Sequence, residues 1–524
     1  MAMLWFALHL PLLPLEAFCA TLPAAEAARP VALITDQHVT QVNAAAAERG
    51  LRPGIKRNTA LALAADLLVA DSHAGREAAA LQAVVHAALA FTPAVTLQGA
   101  HTVLLEVQAS LRLFGGAAAL RQRVLDAIAP LGHRVQMAAA PTALGAALLA
   151  QWHPRERGDR GDLVLGAHAT NLRALQALLL QAPVWMLGPG REHWEALQGM
   201  GLQRLSDLRT LPRSGLARRF GQDLLDDLDR ALGHSPDPRR WLELPVRFDS
   251  RLELFARADT TDQVLHGASV LLARLVAWAQ ARQARVAAFT LRMLHEKARH
   301  TTHPATELRV ELAEPAVELA HLQNLLRERL MRLELIAPTL DLHLHCSQLA
   351  AGPVPNGELF PTRATEAEGL TRLLERLRAR LGDEQVLRLV PVADHRPERA
   401  SRAVPAQGQT QGQTQGQTQV TLEGAAFEQA AALADSLLPL HRPAWLLPEP
   451  LPLAEREALP LLQGRPLQLL SGPERIETGW WDGASVARDY YIAQAEDGSL
   501  VWLFCARLRA QPGEPIWHLQ GLFA

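Results

Sequence analysis

Two stretches of this chain decide its fold: ALHLPLLPLE at Ala7–Glu16 and GAHTVLLEV at Gly99–Val107. Each contains an apolar run of strand length that is bounded by proline or glycine, as in a buried strand. Both stretches are poor in acidic residues. The first aspartate of the chain is Asp36, and residues 91–120 contain Glu106 as their only acid. The sequence therefore predicts two buried strands with almost no carboxylates on them.

Around these stretches, residues 1–180 alternate short apolar strands with alanine-rich helices, which predicts an α/β layer. The expected strands are Leu4–Leu10, Pro30–Thr35, Thr102–Val107 and Arg134–Ala139. The expected helices are Thr59–Ala65, Glu77–Ala90, Ala117–Ile128 and Ala143–Trp152. Residues 38–71 are predicted to be a small helical insertion between strands.

Two further folded segments follow. Residues 181–240 contain short helical runs separated by glycine turns, which is typical of a helix-hairpin-helix unit. Residues 245–395 contain four strand-like runs and long amphipathic helices, which predicts an α+β unit.

The C-terminal part begins with a predicted linker at residues 396–420. It contains the polar GQTQ repeat of Gln407–Gln419, which cannot bury enough surface to order the chain and is predicted to be disordered. Residues 421–524 end in strands rich in tryptophan and glycine, with Asp497-Gly498 as a hairpin turn.

Composition limits the possible functions. The net charge is −2 over 524 residues, so nucleic-acid binding must depend on local arginine-rich faces. The three cysteines, an odd and sparse set, argue against a disulfide framework and favour a reducing compartment. No apolar run reaches the ~18 residues of a membrane span. A cytoplasmic, nucleoid-associated protein without membrane contact is expected.

The order of these parts resembles the palm and fingers, thumb and little finger of Y-family translesion DNA polymerases. In that family the first strand reads roughly Asp-x-Asp-x-Phe-Phe-x-x-x-Glu, and Ala7–Glu16 is similar to it. The resemblance puts Ala7 at the first metal-binding aspartate and Leu12 at the steric gate, while Glu16 matches the final glutamate. It also implies a nucleotide-binding Tyr and Arg at positions where this chain has Ala44 and Ala47.

The second catalytic strand of the family carries an Asp-Glu pair, and here the matching residues are His101 and Thr102. Nucleotidyl transfer uses Mg²⁺ ions bridged by carboxylates, while imidazole prefers softer metals and threonine supplies no charge. No catalytic residue, nucleotide-binding residue, metal ligand or cofactor is therefore expected. The alternative is an active polymerase with rebuilt ligands such as Glu16 or Glu106.

The tail strengthens the resemblance. GPERIETGWWDG at Gly472–Gly483, followed by ARDYY and a closing strand, is similar to the tail of ImuB-type proteins, the catalytically degenerate branch of this family. That resemblance implies a non-catalytic scaffold in bacterial DNA-damage tolerance and SOS mutagenesis. Its implied partners are DNA, the β sliding clamp, a RecA-related ImuA-type accessory protein and an error-prone C-family DNA polymerase.

The clamp-binding peptide implied by the resemblance is Asn356-Gly357-Glu358-Leu359-Phe360, in which the Leu-Phe pair can fill an apolar pocket. The pair could instead pack onto the adjoining domain. A second candidate peptide is Gln520-Gly521-Leu522-Phe523, which has the pattern of a terminal strand.

Candidate DNA contacts lie in residues 181–240 and 245–395. The backbone at Gly188 and Gly190 could donate to a phosphate, and exposed arginines could add charge-assisted bonds. The arginines proposed for this role are Arg213, Arg218, Arg219, Arg282 and Arg285, with Arg251 and Arg274 as further candidates along the duplex backbone. Capping turns and solvated arginines are the structural alternative, and an interaction module without DNA contact is a third possibility.

Overall fold

The computed structural model describes residues 3–152, 164–296, 304–351, 363–382, 384–406, 442–507 and 516–523. It divides into two compact units, Met1–Arg380 and Leu381–Ala524. The predicted clamp peptide and the GQTQ repeat both lie outside the described residues.

The first part of unit 1 is built around a five-stranded sheet. Its elements are β1 (Trp5–His9), α1 (Leu13–Cys19), β2 (Val31–Thr35), β3 (His38–Val42), α2 (Ala44–Glu48), α3 (Arg57–Leu63), β4 (Leu68–Ala70), α4 (Ala74–Leu89), β5 (Val95–Leu97), β6 (Thr102–Glu106), α5 (Ala117–Ile128), β7 (Gln136–Ala140), α6 (Ala143–Gln151) and β8 (Val164–His168). The strand order is β5-β6-β1-β7-β8, and β1 is antiparallel to both neighbours. The strands predicted as β1, β6 and β7 are confirmed.

Both faces of this sheet are covered, which explains why the interior positions of its central strands are apolar. Phe6, Leu8 and Val103 join one core with residues of α4 and α5. Ala7 and Leu104, which point to the opposite face, join a second core with α6.

The predicted helical insertion is only partly helical. Strands β3 and β4 lie inside it, and they flank β2 in a separate three-stranded sheet of order β3-β2-β4. The sequence predicted that Pro30–Thr35 is a strand of the α/β layer. The strand forms, but it belongs to this separate three-stranded sheet, so that part of the prediction is wrong. The alanine-rich helix α2 begins at Asn43, whose side chain caps it by accepting from the Ala46 amide.

Short helices follow, as predicted. They are α7 (Leu172–Leu179), α8 (Gly188–Glu192), α9 (Trp194–Gly199), α10 (Leu205–Leu208), α11 (Arg213–Phe220) and α12 (Gln222–Leu232). Their buried leucines share one core with α6, so this helical part packs on the same sheet face as Ala7.

The rest of unit 1 is a four-stranded antiparallel sheet with helices against it. Its elements are β9 (Asp249–Ala258), α13 (Thr261–Ala281), β10 (Ala284–His295), β11 (Ala305–Ala316), α14 (Leu319–Leu330), β12 (Thr339–Ala351) and α15 (Arg363–Leu381), with strand order β11-β10-β12-β9. The predicted α+β arrangement is confirmed. Helix α13 is long and apolar enough to span a membrane, but 72% of its apolar window is buried inside the protein, as in a core helix.

Unit 2 is rich in strands. Its elements are β13 (Leu387–Pro391), β14 (Ser401–Pro405), β15 (Trp445–Arg456), β16 (Leu459–Leu462), β17 (Arg465–Pro466), β18 (Gln468–Thr478), β19 (Val486–Gln494), β20 (Leu500–Ala506) and β21 (Trp517–Leu522). Strands β13 and β14 form a hairpin, and the other seven form one sheet of order β17-β16-β15-β21-β20-β19-β18. The predicted hairpin at Asp497-Gly498 is confirmed, since Gly498 has a positive φ between β19 and β20.

The start of the predicted linker is ordered. Arg396 is only 2% exposed, and its guanidinium donates to both Asp394 and Asp482. This pairing lowers the pKa of Asp482 to about 2. Arg396 lies between β13 and β14, and Asp482 belongs to the GWWDG segment. The ion pair therefore connects the β13–β14 hairpin to the tail segment Gly472–Gly483. The other domain boundaries stay predictions.

Candidate functional site

The position matched to the first catalytic aspartate is sealed inside the protein. Ala7 pairs with Leu104 of β6 and with Ala138 of β7, and all three side chains are 0% exposed. Helix α6 covers this face of the sheet in the same apolar core. The Ala7 methyl group lies inside this apolar core, so the position supplies no ligand atom.

Polar groups at the adjoining end of the sheet bond to one another. His9 faces Thr102 in the β1–β6 register, and His9 Nδ1 lies 2.9 Å from Thr102 Oγ1. Gln151 of α6 also approaches this hydroxyl, with Nε2 3.5 Å from Oγ1. Thr102 is 1% exposed, while the neighbouring His101 is half-buried. The hydroxyl is therefore satisfied by protein groups.

The two acids that could rebuild a metal site are engaged elsewhere. The Glu16 carboxylate accepts from the Arg134 amide, with both oxygens 3.1 Å away. Glu106 accepts from the Gln108 amide at 3.1 Å. Glu106 is four residues along β6 from Thr102, about 13 Å at the rise of a strand. Within the described residues, no group of three or more His, Cys, Asp or Glu side chains could hold a metal ion.

These residues do not fit the carboxylate-bridged Mg²⁺ pair that the fold implies. Ala7 has no donor atom, and Thr102 is a neutral hydroxyl already bonded to His9. Mg²⁺ in nucleotidyl transfer needs charged oxygen ligands.

The positions matched to nucleotide binding present little that could bind phosphate. Ala44 and Ala47 lie on α2 with their methyl groups exposed. Leu12, at the steric-gate position, precedes α1 and is half-buried, and its carbonyl accepts from the Glu16 amide.

The helical part contains both free and paired arginines. Arg218 and Arg219 are exposed in the last turn of α11, and the Arg219 guanidinium lies 5.6 Å from the centre of the Phe220 ring. Arg213 instead donates to both oxygens of Asp229, at 3.1 and 2.5 Å. Phosphate contact by Arg213 would compete with that pair, so Arg218 and Arg219 are the better phosphate donors.

The two glycines of the same part have different roles. Gly190 is buried, and a Cβ on it would lie 2.2 Å from the Val184 carbonyl oxygen, so close packing requires glycine here. Gly188 is exposed with open space around it, at the start of the five-residue α8.

The arginines of the α+β part fall into three environments. Arg282 is exposed, stacks 5.4 Å from the Trp278 ring and donates to the Pro245 carbonyl. Arg285 is half-buried, and its Nε is enclosed without a hydrogen bond. Arg274 is 5% exposed, so the prediction that it tracks a duplex backbone is wrong. Arg251 is exposed but donates to Asp341 at 2.6 Å. No described contact joins this set to the arginines of α11.

The impB/mucB/samB family matches residues 15–151, which span α1 to α6. The protein ImuB from two strains of Caulobacter vibrioides is 28% identical over 496 residues, covering 90% of this chain and 100% of that protein. The chain is therefore similar to ImuB over most of its length.

Solved structures similar to this chain include a Dbh ternary complex and an insertion ternary complex of Dbh DNA polymerase, each with a TM-score of 0.36 and with 13% and 12% identity. DinB from Sulfolobus solfataricus matches with a TM-score of 0.34 and 16% identity. Each match covers 67% of this chain and 100% of the other. The predicted fold class is confirmed: α/β and α+β parts of Y-family type precede a β-rich C-terminal unit.

Sequence reasoning missed two members of the hydrogen-bonded group at Thr102, namely His9 and Gln151. His9 could have been found, because it lies two residues after Ala7 and strand alternation puts both on one face. Gln151 ends a different helix, and only the packing of α6 on β1 and β6 brings it close.

Proposed function

We propose that this protein is a non-catalytic, Y-family-like scaffold in bacterial DNA-damage tolerance and translesion synthesis. Its palm-like sheet and helical part bind DNA, while partner proteins supply the polymerase activity. The partners proposed are the β sliding clamp, a RecA-related accessory protein and an error-prone C-family DNA polymerase, in the cytoplasm at the nucleoid.

The observation that carries the proposal is the complete burial of Ala7 between Leu104 and Ala138. A catalytic carboxylate at this position would be an unpaired charge in an apolar core, which is strongly disfavoured. The bonded pair of His9 and Thr102 beside it removes the next two groups that could approach a metal. The polymerase fold is thus retained around an apolar centre.

Support for DNA binding comes from the exposed arginines of α11. Arg218 and Arg219 are exposed together in the last turn of the helix. Guanidinium groups bind phosphate oxygens in this way without reading sequence. A scaffold that must accept different damaged templates needs this kind of contact.

The proposed clamp contact is the peptide Asn356–Phe360, and the structure of unit 2 disfavours its competitor. Gln520 lies in β21, is 1% exposed, and accepts a 2.7 Å hydrogen bond from the Tyr490 hydroxyl. A clamp-binding peptide must be free to enter a pocket in extended form. The terminal Gln520–Phe523 segment would have to leave its sheet to do so.

Primer extension by the purified protein tests the proposal. The reactions contain undamaged or lesion-bearing templates with Mg²⁺ or Mn²⁺, and DNA affinity is measured on the same preparation. We expect no incorporation together with salt-dependent DNA binding. Incorporation that persists after removal of contaminating polymerases would overturn the proposal, and replacement of Glu16 and Glu106 would then locate a rebuilt site.

A further inference from the structure

A cleft of about 770 Å³ lies in unit 1, away from the Ala7 side of the sheet. Its walls are α1, the end of β4, α4 from Gly75 to His86, the segment from Pro245 into β9, and Arg274 of α13. The cleft is within the usual size range of small-ligand sites, roughly 300–1,000 Å³. None of the positions matched to polymerase chemistry lines it.

Arg274 of α13 lies at the base of this cleft. It is 5% exposed, yet no carboxylate among the described residues accepts a hydrogen bond from its guanidinium. Its Nη1 has only two long contacts, 3.3 Å to Ser250 Oγ and 3.5 Å to the Arg251 carbonyl. Burial without a counter-charge lowers the pKa of Arg274 to about 10. A buried cation of this kind gains most from an anion placed against it.

A second buried polar group lines the same cleft. His86 of α4 is 7% exposed, and its Nε2 is enclosed without a hydrogen-bond partner. Arg274 and His86, from two different helices, therefore line one cavity. Among the described residues, neither side chain has all of its hydrogen bonds filled by protein groups. Such groups in a core are ordinarily bonded, and an incoming ligand could bond to both.

The charges on the walls favour an anion. Arg247 is exposed at the rim without a described ion-pair partner. Asp249 is engaged by His343 at 2.6 Å, and Asp71 lies 3.6 Å from Arg76. Glu253 is exposed. The cations left without a carboxylate are therefore Arg247 at the rim and Arg274 at the base.

Phe255 adds an apolar wall. It is 47% exposed, and its ring packs edge-on against Phe18 at 5.4 Å between centroids. An exposed aromatic ring in the same cleft as guanidinium groups suits a ligand that joins a phosphate to an aromatic base.

We propose that this cleft binds the phosphate of a nucleotide, with Arg274 on the phosphate, Arg247 as a further cation at the rim and Phe255 against the base. The ligand is either a free nucleoside triphosphate or a nucleotide within a single strand, since both present the same groups. The proposal depends on the cleft alone and stands apart from the scaffold function.

Isothermal titration of the full-length protein in EDTA tests this site with three probes: dATP, inorganic tripolyphosphate and an oligothymidylate. We expect dATP to bind more tightly than tripolyphosphate because of the base. Arg274→Met should weaken binding of both by about tenfold or more, the loss typical of a charge-assisted hydrogen bond. Arg332→Met, which removes an exposed arginine outside the cleft, is the matched control and should change neither.

The oligothymidylate distinguishes a free nucleotide from a nucleotide within a single strand. Binding that Arg274→Met weakens, and that competes with dATP, identifies a strand; binding of dATP alone identifies a free nucleotide. Thermal unfolding checks that Arg274→Met is folded. If it is not, the same titrations are made with Arg247→Ala, which changes an exposed residue at the rim. No binding of dATP or tripolyphosphate, or equal affinity in the two cleft variants and the wild type, would overturn the proposal.

Discussion

His9 and Thr102 face each other on the two central strands of the first sheet, with Nδ1 and Oγ1 2.9 Å apart. Buried hydroxyl groups need partners, and here the partner comes from the adjacent strand. Ala7 lies two residues before His9 on the same face of the strand, inside an apolar core. Introducing a carboxylate at Ala7 should therefore cost stability.

Replacement of Ala7 by Asp should lower the free energy of unfolding by about 3–5 kcal/mol, as for an uncompensated buried charge. Urea unfolding measures this loss. Ala44→Asp is the matched control, because Ala44 is exposed on α2 and tolerates a carboxylate. An Ala7→Asp variant that unfolds like wild type, and gains stability from Mg²⁺, would show that the site retains metal-binding geometry.

The arginines of α11 should differ in their effect on DNA binding. Replacing Arg218 and Arg219 together by Ala should reduce the slope of log affinity against log salt by about 0.9 per lost phosphate contact. Fluorescence anisotropy of a labelled primer–template at several salt concentrations measures the slope. Arg213→Ala should leave it nearly unchanged, since Arg213 is bound to Asp229. Equal slopes in all three proteins would remove α11 from the DNA interface.

Apolar runs predicted the central strands well because both faces of that sheet are buried, so β1 and β6 show no polar interruption. The same signal could not assign β2 to its sheet. Its partner β3 reads HVTQV, a short half-exposed strand, and the following alanine run suggested a helix. Tertiary packing determines which strands pair with each other. The hydrophobic pattern of a single strand does not specify its partner.

The burial of Arg274 was also not predicted from the sequence. Arginine on a helix is ordinarily exposed to solvent, and the sequence analysis therefore assigned Arg274 to a DNA-binding surface. Its neighbours indicate otherwise: Leu271 and Trp278 lie three residues before and four residues after it, so all three share one helix face. Both are buried. Helical spacing could thus have predicted burial, although not the cavity, which forms only where β9 and α4 meet α13.

The clamp peptide makes a sharp prediction at its Leu-Phe pair. Replacing Leu359 and Phe360 together by Ala should abolish most clamp affinity, because two anchors of a short peptide carry most of its binding energy. Surface plasmon resonance with immobilised β clamp measures the change. Leu522→Ala with Phe523→Ala is the matched control, since Leu522 ends strand β21 and Phe523 follows it. Clamp affinity that survives the first change and is lost in the second would transfer the contact to the C-terminus.

His86 should make the stability of unit 1 depend on acid. Burial lowers its pKa from 6.5 to about 4, so the folded protein binds fewer protons than the unfolded chain between these values. Its contribution is therefore complete above pH 6.5 and is lost as the pH falls toward 4. From about pH 7.5 to about pH 4.5 the loss is roughly 2–3 kcal/mol.

Denaturant unfolding at these two pH values should show that His86→Leu loses less stability on acidification than wild type, by that amount. His38→Leu, which changes an exposed histidine, should follow the wild-type dependence. Identical acid dependence in wild type and His86→Leu would mean that His86 accepts a proton in the folded state without cost, and that the cleft beside it is more open to water than its 7% exposure implies.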